Sequence, residues 1–174
     1  MDGARRVFAE YGVRKATMAD VATRGGLAKA TLYNHVRNKD ELVVALVLED
    51  VSSLAEDCAD LAGSDLAVAL TRAADGVASH PVLVGLRQIE PAVLAAAASP
   101  TESTTWQQVR GHVSQVLAAA GRASEAEHVD LVLRWLSTFA VQPGHADARQ
   151  AQARLVAAGL PQAVRTTTFA APPA

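Results

Sequence analysis

Apolar residues return every three or four positions along most of this chain, and glycine, proline and small polar residues interrupt them. In ARRVFAEYG, Ala4, Val7, Phe8 and Tyr11 fall at i, i+3, i+4 and i+7, one face of a short helix. Gly12 follows as its stop, because glycine accepts positive φ. TMADVATRGG opens with Thr17 as N-cap and Asp20 three residues on, a capping box with Asp in place of Glu. Met18, Val21 and Ala22 make its inner face, and Gly25-Gly26 breaks it. A third segment at about 28–35 can bury Leu27, Leu32 and Val36. A fourth helix starts near Lys39. Its apolar positions Val43, Val47, Val51, Leu54, Cys58 and Leu61 carry it to about Leu61.

The period continues beyond. Leu66, Ala69, Leu70, Ala73 and Val77 predict a fifth helix with Ser64 as its cap. Prolines at 81 and 91 punctuate short helices expected at 81–89 and 91–98. Trp106, Val109, Val113, Val116, Leu117 and Ala120 share one face of the next. SEAEHVDLVLRWLSTFAVQPG offers Ser124 as cap, acids in the first turn and Pro143-Gly144 as terminator. A last helix, about 145–159, carries Ala148, Ala151, Leu155 and Ala158. No segment alternates with period two and none repeats. The expectation is an all-α protein of about nine helices in two parts.

Composition agrees with helix packed on helix: half the residues are hydrophobic but only 4% are aromatic. No leader and no apolar run long enough to span a bilayer is visible, so a soluble cytoplasmic protein with no membrane partner is expected. Cys58 is the single cysteine, which leaves no internal disulfide, and its expected role is a small buried apolar residue. Charge is unevenly spread. Residues 1–40 hold eight Arg or Lys against four Asp or Glu, a balance of +4, whereas the whole chain is −2 and the remainder therefore −6. A basic end on an acidic body points to an anionic partner for that end.

The basic end also has the layout of a helix-turn-helix unit. Ala22 is small where two helices would cross, Gly26 supplies the turn, and Leu32 plugs the space between them. That leaves Lys29, Thr31, Tyr33 and Asn34 outward on the third helix. Lysine and tyrosine suit phosphate; threonine and asparagine suit base edges and thymine methyls.

On these residues the stretch TMADVATRGGLAKATLYNHVRNKDELVVAL resembles the DNA-binding domain of the tetracycline-repressor (TetR) family of bacterial regulators, closely over residues 4–46 and in helical layout beyond. The resemblance implies a helix-turn-helix domain at 1–42, a helical effector-binding and dimerisation domain at 43–161, and a flexible tail at 162–174. It implies a DNA-binding transcriptional regulator, a ligand-responsive repressor by family default, that reads an inverted-repeat operator in double-stranded DNA as a homodimer. Thr17 would cap the second helix and touch phosphate. Lys29, Thr31, Tyr33, Asn34 and His35 would lie on or just after the recognition helix, and Lys39 would contact phosphate. The last two long helices, 124–141 and 145–159, would form the dimer face, with Leu136 and Leu155 in it.

Three features depart from the family. Ala28 stands where a serine cap is usual, a loss worth about 1 kcal/mol. Val36 replaces the usual aromatic, thinning the small core. The basic arm that commonly precedes the first helix is not in this sequence, which leaves two readings: a start upstream of Met1, or no minor-groove contact.

The second part offers Arg87, Glu90, Trp106, His112, Arg134 and Trp135 as polar or aromatic pocket candidates among walls rich in Leu, Val and Ala. A mostly apolar, medium-sized effector is expected, with Arg87 or Arg134 available for one anionic group. His80 reads as a cap or solvent residue beside Pro81, and His128 as a rim residue. The histidines lack metal-ligand spacing, and no phosphate loop, nucleophile motif or paired carboxylates appear, so neither a metal, a cofactor nor an enzyme is expected. The alternative is a helical dimer that acts through protein partners, its DNA-binding domain weakened or vestigial.

Overall fold

The computed structural model describes residues 1–163. They form ten helices: α1 Asp2–Lys15, α2 Met18–Arg24, α3 Lys29–His35, α4 Lys39–Ala62, α5 Leu66–Ser79, α6 Pro81–Ile89, α7 Pro91–Ala97, α8 Thr104–Ala119, α9 Ala126–Val141 and α10 Ala146–Gly159. The all-α expectation holds, with one helix more than about nine. Among the described residues the sole β-type pairing is an isolated bridge between Arg122 and Gln162. Residues 162 and 163 therefore sit on the body, the Ala163 N–H donating to the Gly121 carbonyl at 3.0 Å. The rest of the expected tail lies outside the described residues.

Local chemistry explains most boundaries. The Thr17 capping box is complete: the Asp20 N–H donates to Thr17 Oγ1 at 3.2 Å and the Thr17 N–H to Asp20 Oδ2 at 3.0 Å. The Thr17 hydroxyl foremost, by donating to Asp20 Oδ2, and then the Thr17 N–H hold the Asp20 carboxyl below its ordinary pKa. Gly12 (φ +75°) interrupts α1, and Gly26 (φ +65°) makes the turn before α3. Ala28 supplies no side-chain cap to α3, as its methyl dictates. Two caps differ from expectation by one residue. Asp65, not Ser64, accepts the Ala67 N–H at 2.8 Å, and α9 starts from Glu125 rather than Ser124, with no side-chain bond. Both are Ser-acid pairs whose order in the turn is set by the incoming chain. Asn38 caps α4 and Ser103 caps α8.

The helix-turn-helix does not close its core alone. Val7, Phe8, Val21, Leu32, Val36 and Leu42 pack in one cluster with Leu46 of α4, Val82 and Leu86 of α6, and Leu94 of α7. α4 runs unbroken through residues 42 and 43 and so belongs to both parts. Several residues expected on apolar faces are exposed: Tyr11, Val47 and Leu61 at the edges of their helices, and Leu27, 47% exposed, because it lies in the turn outside the α2–α3 crossing.

α6 crosses α1 at Gly85. A methyl group there would lie 2.1 Å from the Ala9 carbonyl oxygen, so only glycine admits this approach. Beyond the crossing, Glu90 between α6 and α7 reaches back to α1. Its carboxylate, 9% exposed, accepts the Val13 N–H at 3.0 Å and the Arg14 N–H at 2.9 Å. It satisfies the two donors that the break at Gly12 frees. A second core, built from α4, α5, α8, α9 and α10 around Leu70, Leu117, Val132 and Ala153, forms the body.

Candidate DNA-binding surface and effector cavity

α3 is pinned by Leu32 alone and exposes everything else it carries. Lys29, Thr31, Tyr33, Asn34 and His35 are all exposed, on a helix of seven residues. Lys29 Nζ lies 5.9 Å from the centre of the Tyr33 ring, which sets a cation beside a phenol on the outer face. Two of the expected phosphate contacts have protein partners as well. The Thr17 hydroxyl donates to Asp20 Oδ2 at 2.6 Å. Lys39 Nζ donates to the carbonyls of Arg14 and Ala16, at 3.0 and 3.1 Å. These bonds fix the end of α1 against the start of α4, and they leave one ammonium proton for an external oxygen.

An apolar cavity of about 340 Å³ lies in the body. Trp106 and His112 are on its wall, as expected. Arg87, Glu90, Arg134 and Trp135 are not, and each has other work. The Arg87 guanidinium donates to the carbonyls of Ala140 at 2.8 Å and Ala78 at 2.5 Å, tying the ends of α9 and α5 together. Burial pulls its pKa down, yet it stays a cation. Glu90 clamps α1. Arg134 donates to Asp130 Oδ2 at 3.0 Å, on the exposed side of α9. Trp135 donates from its indole to Gln152 Oε1 at 3.1 Å and meets Phe139 edge-on. A local pattern cannot reveal these pairings, since every partner but Asp130 and Phe139 lies on another helix.

Sequence reasoning missed the α4 side of the wall. Val43, Val44, Val47, Val51, Leu54 and Cys58 of α4 line the cavity. The signal was present as the period along α4, but it was read as packing. Leu42 and Leu46 form the stripe that does pack, toward the N-terminal core. Burial pushes the Cys58 thiol up to about 11, so it is neutral near pH 7 and behaves as the apolar residue expected. Leu136, expected on a dimer face, lines the cavity instead.

An ion-pair cluster joins the two parts. Arg5 of α1 meets Asp50 and, at 2.6 Å, Glu49 of α4. His80 Nε2 lies 2.9 Å from the other Asp50 oxygen, so His80 is a tie between α4 and the start of α6 rather than a solvent residue. Asp50 above all keeps Arg5 charged.

On the far side, α9 and α10 present outward seams. Leu131, Arg134, Thr138 and Val141 are exposed on α9, and Ala148, Ala151, Leu155 and Ala158 on α10, at alternating spacings of three and four. Leu131 is 53% and Leu155 74% exposed. His128 pairs with Glu125 at 3.1 Å near one end.

Residues 1–46 match the family model of bacterial regulatory proteins, tetR family. Over these residues the chain is similar to the DNA-binding domain of that family. The HTH-type transcriptional repressor Rv1474c of Mycobacterium tuberculosis is 44% identical over 55 residues, covering 32% of this chain and 29% of that protein. The HTH-type transcriptional repressor AcnR of Corynebacterium glutamicum is 36% identical over 56 residues, covering 32% and 30%. These matches span less than a third of each relative. Over nearly the whole chain the fold is shared with the TetR family repressor AlkX from Dietzia sp., implicated in biodegradation of n-alkanes (TM-score 0.67, 18% identity, 90% of each chain). It is shared also with the fatty acid degradation regulator FadR from Bacillus halodurans (TM-score 0.57, 13% identity, 91% and 96%). Among the described residues no helix is long and apolar enough to cross a membrane.

Proposed function

We propose that this chain is a TetR-family DNA-binding transcriptional repressor that responds to a small apolar effector and binds an inverted repeat as a homodimer. The observation that carries the reading is α3, a helix held by one buried leucine with every other side chain offered outward, on the basic end of the chain. A seven-residue helix adds little to a core and is long enough to lie in a major groove. Rv1474c and AcnR are both named transcriptional repressors, and it is this DNA-binding end that they share with the chain.

The residues divide by chemistry. Tyr33, Lys29 and the free proton of Lys39 serve phosphates, as does the Thr17 hydroxyl once it turns from Asp20; Thr31 and Asn34, with His35 beside them, serve base edges. The exposed seams of α9 and α10 pair with the same seams of a second copy, which presents two α3 helices to two half-sites. The cavity wall then holds the effector, and the α6–α7 segment, which touches both the cavity and α1, connects the two events.

Selection of bound duplexes from a random DNA pool tests this. An inverted repeat should emerge, and Asn34→Ala or Thr31→Ala should relax preference at a few base pairs by about 1–3 kcal/mol each. Lys39→Ala should weaken all sequences alike. Emergence of no common sequence, or a changed base preference in Lys39→Ala, would refute these assignments.

A further inference from the structure

We propose that the effector is an uncharged, elongated, largely hydrocarbon molecule with one oxygen group, a hydroxyl or carbonyl, hydrogen-bonded by His112. This deepens the regulator reading above and rests on it for the word effector; the binding itself does not depend on DNA.

Three observations carry it. First, the wall has no Asp, Glu, Lys or Arg. The arginines of the helices around it are spent elsewhere: Arg87 on backbone carbonyls, Arg72 on Asp57 at 2.7 Å, and Arg110 on Asp130 and the Thr101 carbonyl. A carboxylate or ammonium placed inside would give up water and gain no counter-charge, which is strongly unfavourable. Second, the wall follows α4 from Val43 to Cys58. Fifteen residues of helix rise about 22 Å, so the space is long, and at about 340 Å³ it is narrow for its length. Third, its polar groups are few. Ser137 donates to the Leu133 carbonyl at 2.8 Å, which leaves it only as an acceptor. Thr105 and His112 make no side-chain hydrogen bond among the described residues, and both lie on the wall. They stand seven residues apart on one face of α8, two turns, too far to hold a single oxygen between them. His112 is the one set among Val109, Val113 and Val116 inside the helix, whereas Thr105 is in the first turn.

Trp106 on the wall gives a direct readout, made selective by Trp135→Phe. In that background, 1-dodecanol, dodecanoate and dodecylamine are titrated at pH 7, each below its aggregation limit. Dodecanol should change the emission saturably, and the two ions should bind at least about tenfold more weakly. Val51→Trp, which fills the channel, should abolish dodecanol binding. His112→Leu, which keeps the volume but removes the hydrogen bond, should weaken dodecanol about tenfold while leaving the fold intact by circular dichroism. Dodecanoate binding as tightly as dodecanol, no saturable dodecanol signal, or an unchanged dodecanol affinity in His112→Leu would each overturn the proposal. A protein that binds dodecanol but no DNA would leave the ligand class standing and sink the regulator reading alone.

Discussion

Gly85→Ala should lower stability by about 1–3 kcal/mol or more, although it adds one methyl group to a helix and improves helix propensity. The reason is the crossing of α6 over α1. The new methyl would sit 2.1 Å from the Ala9 carbonyl oxygen and 2.9 Å from its Cα, and backbone atoms cannot swing aside as a long side chain could. α6 must therefore lift from α1. That movement would pull Glu90 off the Val13 and Arg14 N–H groups and open the shared core at Val82 and Leu86. Urea unfolding measures the loss. The same variant should bind DNA more weakly despite lying far from α3, because α1 is the base on which α2 and α3 stand. Wild-type stability in Gly85→Ala would show that the helices are not in this contact in solution.

Leu155→Arg should give a monomer and cost the larger part of DNA affinity. Leu155 is the most exposed large apolar side chain of the described residues, on a seam with Ala148, Ala151 and Ala158, whose small side chains let another helix come close. Two arginines brought together across a two-fold axis would be desolvated without counter-charges. A monomer reaches one half-site at a time, and the loss of the linked second contact is worth a factor of about 10² to 10⁴. Sedimentation at micromolar concentration decides the first claim: a variant that remains dimeric would place the interface elsewhere. Leu136→Arg is not an equivalent test, since Leu136 faces the cavity.

Helix positions were legible in the sequence because their signals are local. The capping box at Thr17, the glycine turn at Gly26 and the prolines that open α6 and α7 each act within four residues. The outward face of α3 was legible for the same reason: one buried leucine in a polar helix leaves no other assignment. The cavity was not. Arg87 and Glu90 read as pocket polars, but their partners lie on other helices, α1, α5 and α9, from 9 to 77 positions away, where no helical spacing rule reaches. The valines of α4 read as core because an apolar stripe looks alike whether it packs on protein or lines a space. Only the packing of α4 against α5 and α8 tells the two apart. Leu27 failed in the opposite sense, an apolar residue that the turn leaves in solvent.

The central claim is that two copies of α3, held by the dimer, read an inverted repeat through phosphates and base edges together. The most direct measurement is a binding titration at several salt concentrations on the selected duplex and on one whose half-sites are moved apart by about half a helical turn. Tight binding to the first duplex is predicted, falling log-linearly with salt. Lys39→Ala should flatten that slope by about two units, one for each half-site phosphate lost. The second duplex should bind no better than random DNA, because the two helices cannot then enter the same face. Binding that is indifferent to salt, or equal on both duplexes, would contradict the account.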